Sequence, residues 1–296
     1  MSTVLSIQHV SKSYGPVRAL NDVSFDIPSG TVFGILGPNG SGKTTLLGIT
    51  MDILKADSGS YRLLEEEPTE IQRKQIGTLL ETPNFYHYLS AVRNLRIAAA
   101  IKGRGHDDIE RVLKVVNLWE RKDSAFSTFS LGMKQRLAIG AALLGDPEVL
   151  MFDEPTNGLD PVGIAEIREL IKKLRLQGKT IIMASHLLDE VEKVCTHVAI
   201  LKKGHLITHG DVNEILANED IVELAAADNG LLKKVITQFS GYSNMKEEDG
   251  MIRLYFPLGV ANLEALNKHC FNGGVILNHL QVKKKSLEAK FFELTN

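Results

Sequence analysis

Cysteine is nearly absent from this 296-residue chain, with Cys195 and Cys270 the whole complement. They stand far apart and outside any CxxC pairing, which excludes a disulfide framework and a cysteine-based metal site and suits a reducing compartment. Two buried thiols are expected. Long hydrophobic runs are missing as well: none approaches the roughly 18 residues that cross a bilayer. The richest stretch, near Ile97 to Ile101, is hemmed by Arg96 and Lys102, so no span is expected. Excess charge of one sign is also lacking, because 34 Lys and Arg face 36 Asp and Glu for a net charge of −2. No cationic footprint for nucleic acid is visible, and no such partner is expected. The first residues, Met-Ser-Thr-Val-Leu-Ser, show no basic stretch followed by an apolar one, so no export signal is read and a cytosolic location follows. What is present is 44% apolar residues, as in ordinary globular proteins, in about two domains' worth of chain.

Short apolar runs at Val4 to Val10, Val23 to Ile27, Val32 to Leu36, Ser60 to Leu64, Ile76 to Leu80, Val149 to Phe152, Thr180 to Ala184 and Val198 to Lys202 read as strands. Several are continuously apolar, which suits burial on both faces. Helical patterns fall between them at Lys43 to Met51, Asp107 to Leu118, Leu131 to Leu144, Pro161 to Leu176 and Leu188 to Val194. Strands alternating with helices indicate an α/β domain with a largely parallel sheet. Past Gly210 the pattern changes to strand, helix, strand, helix, strand and a closing helix over Ile221 to Leu294, punctuated by Gly241, Gly250 and the Gly273-Gly274 pair. The expected division is a domain of residues 1–219 and a small α+β accessory domain of residues 220–296. His205 and His209 have the spacing of helical metal ligands. The segment reads as a strand, where that spacing separates them by roughly 13 Å, so no zinc site is expected.

Gly37-Pro38-Asn39-Gly40-Ser41-Gly42-Lys43-Thr44 fits G-x-x-x-x-G-K-[ST] directly after a buried strand and directly before a helix. The glycines let backbone N–H groups converge on phosphate oxygens and the helix N-terminus adds partial positive charge. Lys43 can then reach the β and γ phosphates and Thr44 can ligate Mg²⁺. Composition alone would produce the pattern in about one chain in a hundred of this length, and the strand and helix flanks lower that further. Val149-Leu150-Met151-Phe152-Asp153-Glu154 is an apolar strand ending in two carboxylates. Asp153, at the strand's C-terminal end, is placed to hold the Mg²⁺ shell, and Glu154, one residue on, is the candidate general base for an attacking water.

Phe129-Ser130-Leu131-Gly132-Met133-Lys134-Gln135-Arg136 precedes an apolar helix shortly before that strand. It resembles the LSGGQ signature of ATP-binding cassette (ABC) ATPases, matching at Ser130 and Gly132 and departing at Phe129, Leu131 and Met133. Taken alone it would be an ordinary helix cap. Other elements follow in the family's order: Asn157-Gly158-Leu159-Asp160 resembles the D-loop, His186 matches the switch histidine, and Tyr14 stands where an aromatic side chain stacks on adenine. The resemblance covers about Val4 to Gly210. It implies an ABC ATPase core with an antiparallel β subdomain and a helical subdomain of about residues 85–145. It also implies ATP and Mg²⁺ as ligands. The implied binding set is Gly37, Pro38, Asn39, Gly40, Ser41, Gly42, Lys43, Thr44, Thr45, Tyr14, Ser130, Gly132 and Asp160, with Thr44, Asp153 and Glu81 toward the metal and Lys43, Glu81, Glu154 and His186 as the catalytic set.

Glu81 replaces the glutamine that the family usually carries after the Ile76 to Leu80 strand. Glu81-Thr82-Pro83-Asn84-Phe85-Tyr86 is similar to the corresponding loop of bacitracin-resistance-type exporter ATPases, although a solvated loop acid is the plainer alternative. One chain carries one P-loop and one signature. The family geometry therefore implies a head-to-tail homodimer that closes on two ATP molecules, and membrane permease subunits of the ABC-2 type that receive the motion at the cytoplasmic membrane face. Phe85, Tyr86 and Tyr88 are read either as partner-facing anchors or as packing within the helical subdomain. The C-terminal unit, similar to the tail of ABC-2 type exporter ATPases, carries no catalytic constellation, so dimer stabilisation or regulation is expected of it. The competing function is a soluble ABC ATPase that remodels a macromolecular complex. The coiled-coil insertions, zinc modules or second cassette of such proteins are not seen. A regulatory module without turnover is disfavoured by intact Lys43, Asp153, Glu154 and His186. Cargo is not written in the sequence.

Overall fold

The structure, a computed structural model, describes residues 2–80, 84–216, 219–283 and 287–295. Two compact units divide the chain, Met1–Gly210 and Asp211–Asn296. Residues 212–216 pack with the chain's last helix within the second unit.

The first unit runs β1 (Thr3–Tyr14), β2 (Val17–Pro28), β3 (Val32–Leu36), α1 (Lys43–Thr50), β4 (Ser58–Leu63), α2 (Glu70–Lys74), β5 (Ile76–Leu79) and α3 (Ala91–Lys102). It continues with α4 (Ile109–Val115), α5 (Leu131–Leu143), β6 (Val149–Asp153), α6 (Pro161–Leu176), β7 (Thr180–Ser185), α7 (Leu188–Glu192), β8 (His197–Lys202) and β9 (His205–Asp211). Strands β5, β6, β7, β3 and β8 pair in parallel in that order, with β9 beyond β8 at the edge. Every residue of β3, β6 and β7 is buried, which is why they read as unbroken apolar runs. A separate antiparallel sheet, ordered β2-β1-β4, shares its core with the parallel sheet, Phe25 stacking on Phe33 at 5.6 Å. Helices α3, α4 and α5 occupy the expected helical region. The helix read over Asp107 to Leu118 is shorter: α4 is flanked by 3₁₀ turns at His106–Asp108 and Trp119–Arg121, and Asn117, at φ +55°, ends the α-helical path. Helix α6 matches its sequence pattern, opening on Pro161 behind the Asp160 cap and burying Ile167, Leu170, Ile171 and Leu174 on one stripe.

The second unit runs α8 (Val212–Leu216), β10 (Glu219–Ala226), α9 (Asn229–Ile236), β11 (Asn244–Glu248), β12 (Met251–Pro257), α10 (Leu263–Asn272), β13 (Leu277–Lys283) and α11 (Leu287–Thr295). Its four strands form one antiparallel sheet ordered β11-β12-β10-β13, the split βαβ arrangement. Val222, Leu224, Ile252, Leu254 and Phe256 alternate toward one face, where Leu232, Ile236, Leu266 and Cys270 of α9 and α10 close the core. Glu223 lies buried on the other face. Burial raises its carboxyl pKa, but hydrogen bonds from Arg253 and Lys283 outweigh that and hold it below the usual range. Cys195 and Cys270 are buried free thiols.

Candidate active site

The parallel order β6-β7-β3 sets three strand ends side by side at the C-terminal edge of the sheet, where open α/β sheets bind ligands. From β3 the chain turns sharply through Gly37 to Gly42 into α1. A Cβ on Gly37 would lie 2.3 Å from the Leu201 carbonyl, and one on Gly42 would lie 2.4 Å from that of Ala19, with both residues at positive φ. Only glycine fits either place. Helix α1 has no side-chain cap, so its first amides stay directed at the loop. Ser41 Oγ is buried and finds no hydrogen-bond partner among the described residues. Lys43 is buried and its ammonium donates to the carbonyls of Gly37 at 2.8 Å and Pro38 at 3.3 Å.

Glu154, directly after β6, is the second element. Its backbone stands at φ +49°, a conformation that costs a non-glycine residue free energy, and its amide donates to Ala184 O at 3.0 Å. That turn aims the carboxylate back over the sheet edge. Oε1 lies 3.6 Å from Lys43 Nζ, and Oε2 is 2.9 Å from Nδ1 of His186, the residue after β7. Lysine, glutamate and histidine thus form one contiguous group, although they lie far apart in the chain. Asp153 is buried at the end of β6 and shares with Thr44, Gly48, Ile53, Leu54 and Leu80 the wall of a cavity of about 330 Å³. A hydroxyl and a carboxylate there make an oxygen donor pair of the kind Mg²⁺ takes together with phosphate oxygens. Glu81 lies outside the described residues.

Ser130 caps α5, its hydroxyl accepting from Met133 N at 3.3 Å, and Asp160 caps α6 by accepting from Gly163 N at 2.9 Å. The two helix starts are neighbours: a Cβ on Gly132 would meet nothing nearer than Gly163 Cα at 3.9 Å. The chain's own packing therefore does not demand glycine at 132. Tyr14 ends β1 with 46% of its surface exposed. No hydrogen bond or ion pair among the described residues joins Ser130, Gly132 or Tyr14 to the Lys43–Glu154–His186 group. His205 and His209 lie on β9 with separate neighbours, Asn21 and Phe25, as the strand reading requires.

The two readings of the aromatic loop divide by residue. Phe85 packs edge-on against Phe126 at 5.2 Å, whereas Tyr86 and Tyr88 are 52% and 77% exposed. A groove of about 370 Å³ opens there, lined by Asn84, Phe85, Tyr86, Asn94, Ile97, Ala98 and Ile101. Asn94 was not legible as functional. It is a buried amide whose Oδ1 accepts from Tyr86 N at 2.8 Å and whose Nδ2 donates to the carbonyls of Tyr86, Leu89 and Ser90 at 3.1–3.2 Å. A lone polar residue on the buried stripe of a helix is the only sequence signal for it.

A loop shaped for phosphate, with a carboxylate held across it between an ammonium and an imidazole, fits a P-loop ATPase, and the antiparallel sheet β2-β1-β4 with helices α3 to α5 inserted between β5 and β6 fits the ATP-binding cassette type. The profile of the ABC transporter family matches residues 20–157, and the chain belongs to that family. It is similar to the bacitracin transport ATP-binding protein BcrA of Enterococcus faecalis, at 33% identity over 99% of this chain and 97% of the relative. The lantibiotic transport ATP-binding protein SrtF of Streptococcus pyogenes is 37% identical over 75% of this chain and 95% of its own length. Among solved structures, CbiO1 of Clostridium perfringens, part of the ABC transporter complex CbiONQ, superposes with a TM-score of 0.66 at 29% identity, covering 81% of this chain and 96% of that one. The ADP conformation of another ABC transporter cassette gives 0.66 at 26% identity over 72% and 93% of the two chains. The protein is an ATP-binding, ATP-hydrolysing ABC transporter subunit.

Proposed function

We propose that two copies of the chain close head to tail on two Mg²⁺-bound ATP molecules and that the closure energises export through separate ABC-2 type permease subunits at the cytoplasmic membrane face. The observation that carries this reading is the Glu154 carboxylate held between Lys43 and His186. With ATP in the loop, the P-loop amides and Lys43 bind its phosphates and orient the γ-phosphoryl group. Thr44, Asp153 and Glu81 would hold the metal, which when bound neutralises charge on the phosphate oxygens. Glu154 accepts the proton of the attacking water at a carboxylate oxygen, while the hydrogen bond from His186 fixes the orientation of that carboxylate. Tyr14 stacks on adenine. Ser130 and Gly132 of the other copy close over the γ-phosphate, and the glycine leaves room there that the chain's own packing does not need. Cleavage removes the group that both copies grip, and they part.

Export is supported by the bacitracin and lantibiotic transport relatives. Among the described residues no helix is long and apolar enough to cross a membrane; in this reading the permease subunits form the translocation path. Exposed Tyr86 and Tyr88 beside the 370 Å³ groove suit a docking helix of such a subunit. The C-terminal unit stabilises or regulates the dimer. Glu154→Gln keeps the shape of the side chain and removes its basicity. It should give an ATP-bound dimer by size-exclusion chromatography with turnover lowered about 10²- to 10⁴-fold; an ATP-loaded monomer would contradict the shared site.

A further inference from the structure

Beyond its last pairing with β4, Ser11 opposite Ser58, strand β1 keeps only β2 as a sheet neighbour through Lys12, Ser13 and Tyr14. A two-stranded ribbon of this kind is weakly ordered by itself. One side chain ties it down on the open side. The Asp57 carboxylate accepts from Lys12 Nζ at 2.8 Å through Oδ1 and from Ser13 N at 2.7 Å through Oδ2, and the Asp57 amide donates to Ser11 O at 2.9 Å. Three consecutive residues are therefore fixed immediately before Tyr14. The same Lys12 ammonium stands over the Tyr14 ring, 5.7 Å from its centroid, and the residue is 46% exposed, which leaves surface for a flat partner.

We infer that Asp57 is a positioning residue for base recognition, holding β1 and Lys12 so that the Tyr14 ring is presented to adenine. This rests on the reading that Tyr14 stacks on the base. The consequence is separable from phosphate binding: losing Asp57 weakens the grip on the base and leaves the P-loop untouched. Asp57 is exposed and contributes nothing to the buried core, so its replacement tests placement rather than folding.

Steady-state hydrolysis gives KM and kcat for ATP, and calorimetric titration gives Kd for ATP and for inorganic tripolyphosphate, which has the phosphates and no base. Asp57→Ala should raise KM and Kd for ATP about five- to tenfold, with kcat within about twofold and tripolyphosphate affinity unchanged. Asp57→Asn, which keeps an acceptor for Ser13 N but loses the charge facing Lys12, should fall between. In the Tyr14→Ala background Asp57→Ala should add nothing, a non-additivity that a general structural role would not produce. Equal losses for ATP and tripolyphosphate, or additive losses in the double variant, overturn the inference. If Tyr14→Ala is itself silent, the stacking reading falls and this inference with it; if Tyr14→Ala acts and Asp57→Ala does not, only the role of Asp57 falls.

Discussion

Asn94 shows how much one buried amide can organise. Its four hydrogen bonds all go to backbone between Tyr86 and Ser90, so the loop that displays Tyr86 and Tyr88 is shaped by a side chain on the following helix. Leucine would fill the volume and leave the Tyr86 amide without its acceptor. Asn94→Ala is expected to leave the Tyr86 amide without its acceptor and to take a second donor from three carbonyls that keep their backbone N–H partners, at a cost of about 1–3 kcal/mol, read as a lower denaturant midpoint with an unchanged m-value. Because no hydrogen bond or ion pair among the described residues joins Asn94 to the Lys43–Glu154–His186 group, kcat of the surviving folded fraction should stay within about twofold. Glu154 is the contrasting case, a residue held in a costly backbone conformation because the turn must aim its carboxylate.

At the scale of elements, α5 begins at the Ser130 cap and meets a half-buried cation at its other end. Lys102, the last residue of α3, donates to the carbonyls of Ala141 at 2.6 Å and Ala142 at 3.2 Å in the final turn of α5. These are carbonyls a helix leaves without intrahelical partners, and a cation there also suits the helix dipole. Burial nonetheless pushes its ammonium down to about 8 from the ordinary 10.5, and nearby Arg104 adds to the shift. Between those two values the unfolded chain binds the proton more tightly than the folded one, so stability rises with pH across that window, and the cost of burying the charge is fully present below it. Urea unfolding of wild type and Lys102→Met at pH 7 and pH 9.5 should show the wild type gaining relative to the variant at the higher pH; a gap independent of pH would show that the ammonium is not desolvated. α5 also meets α6 near its start, through Gly132 and Gly163, so the helices that begin at Ser130 and Asp160 are placed together.

At the scale of the whole molecule, each unit has a core cluster of its own among the described residues. A cluster among the described residues is drawn entirely from residues before Gly210, and another entirely from residues after it. Domains with closed cores of this kind fold on their own. A chain ending at Gly210 is therefore expected to fold and to bind ATP with a Kd within about threefold of the full chain, measured by calorimetry. Loss of soluble, ATP-binding protein would show that the second unit completes the first. The SrtF relative aligns along 95% of its own length with only 75% of this chain, which fits a cassette able to stand without further chain.

Local chemistry in the sequence determined the phosphate loop, the carboxylate-ending strand β6, the Asp160-Pro161 start of α6 and the division into α/β core and α+β tail, because each is written in consecutive residues: glycines that alone fit the turn, apolar runs buried on both faces, a cap followed by proline. Strand β11 was not legible, since Asn-Met-Lys-Glu-Glu at an exposed edge has no alternation, and pairing with β12 alone makes it a strand. The sequence resemblance named Lys43, Glu154 and His186 but not their contact. That was decided by the strand order β6-β7-β3, which brings three distant strand ends to one edge, and the same holds for Asn94 and Asp57. Their roles come from backbone groups of other segments, and no spacing along the chain encodes which backbone will arrive.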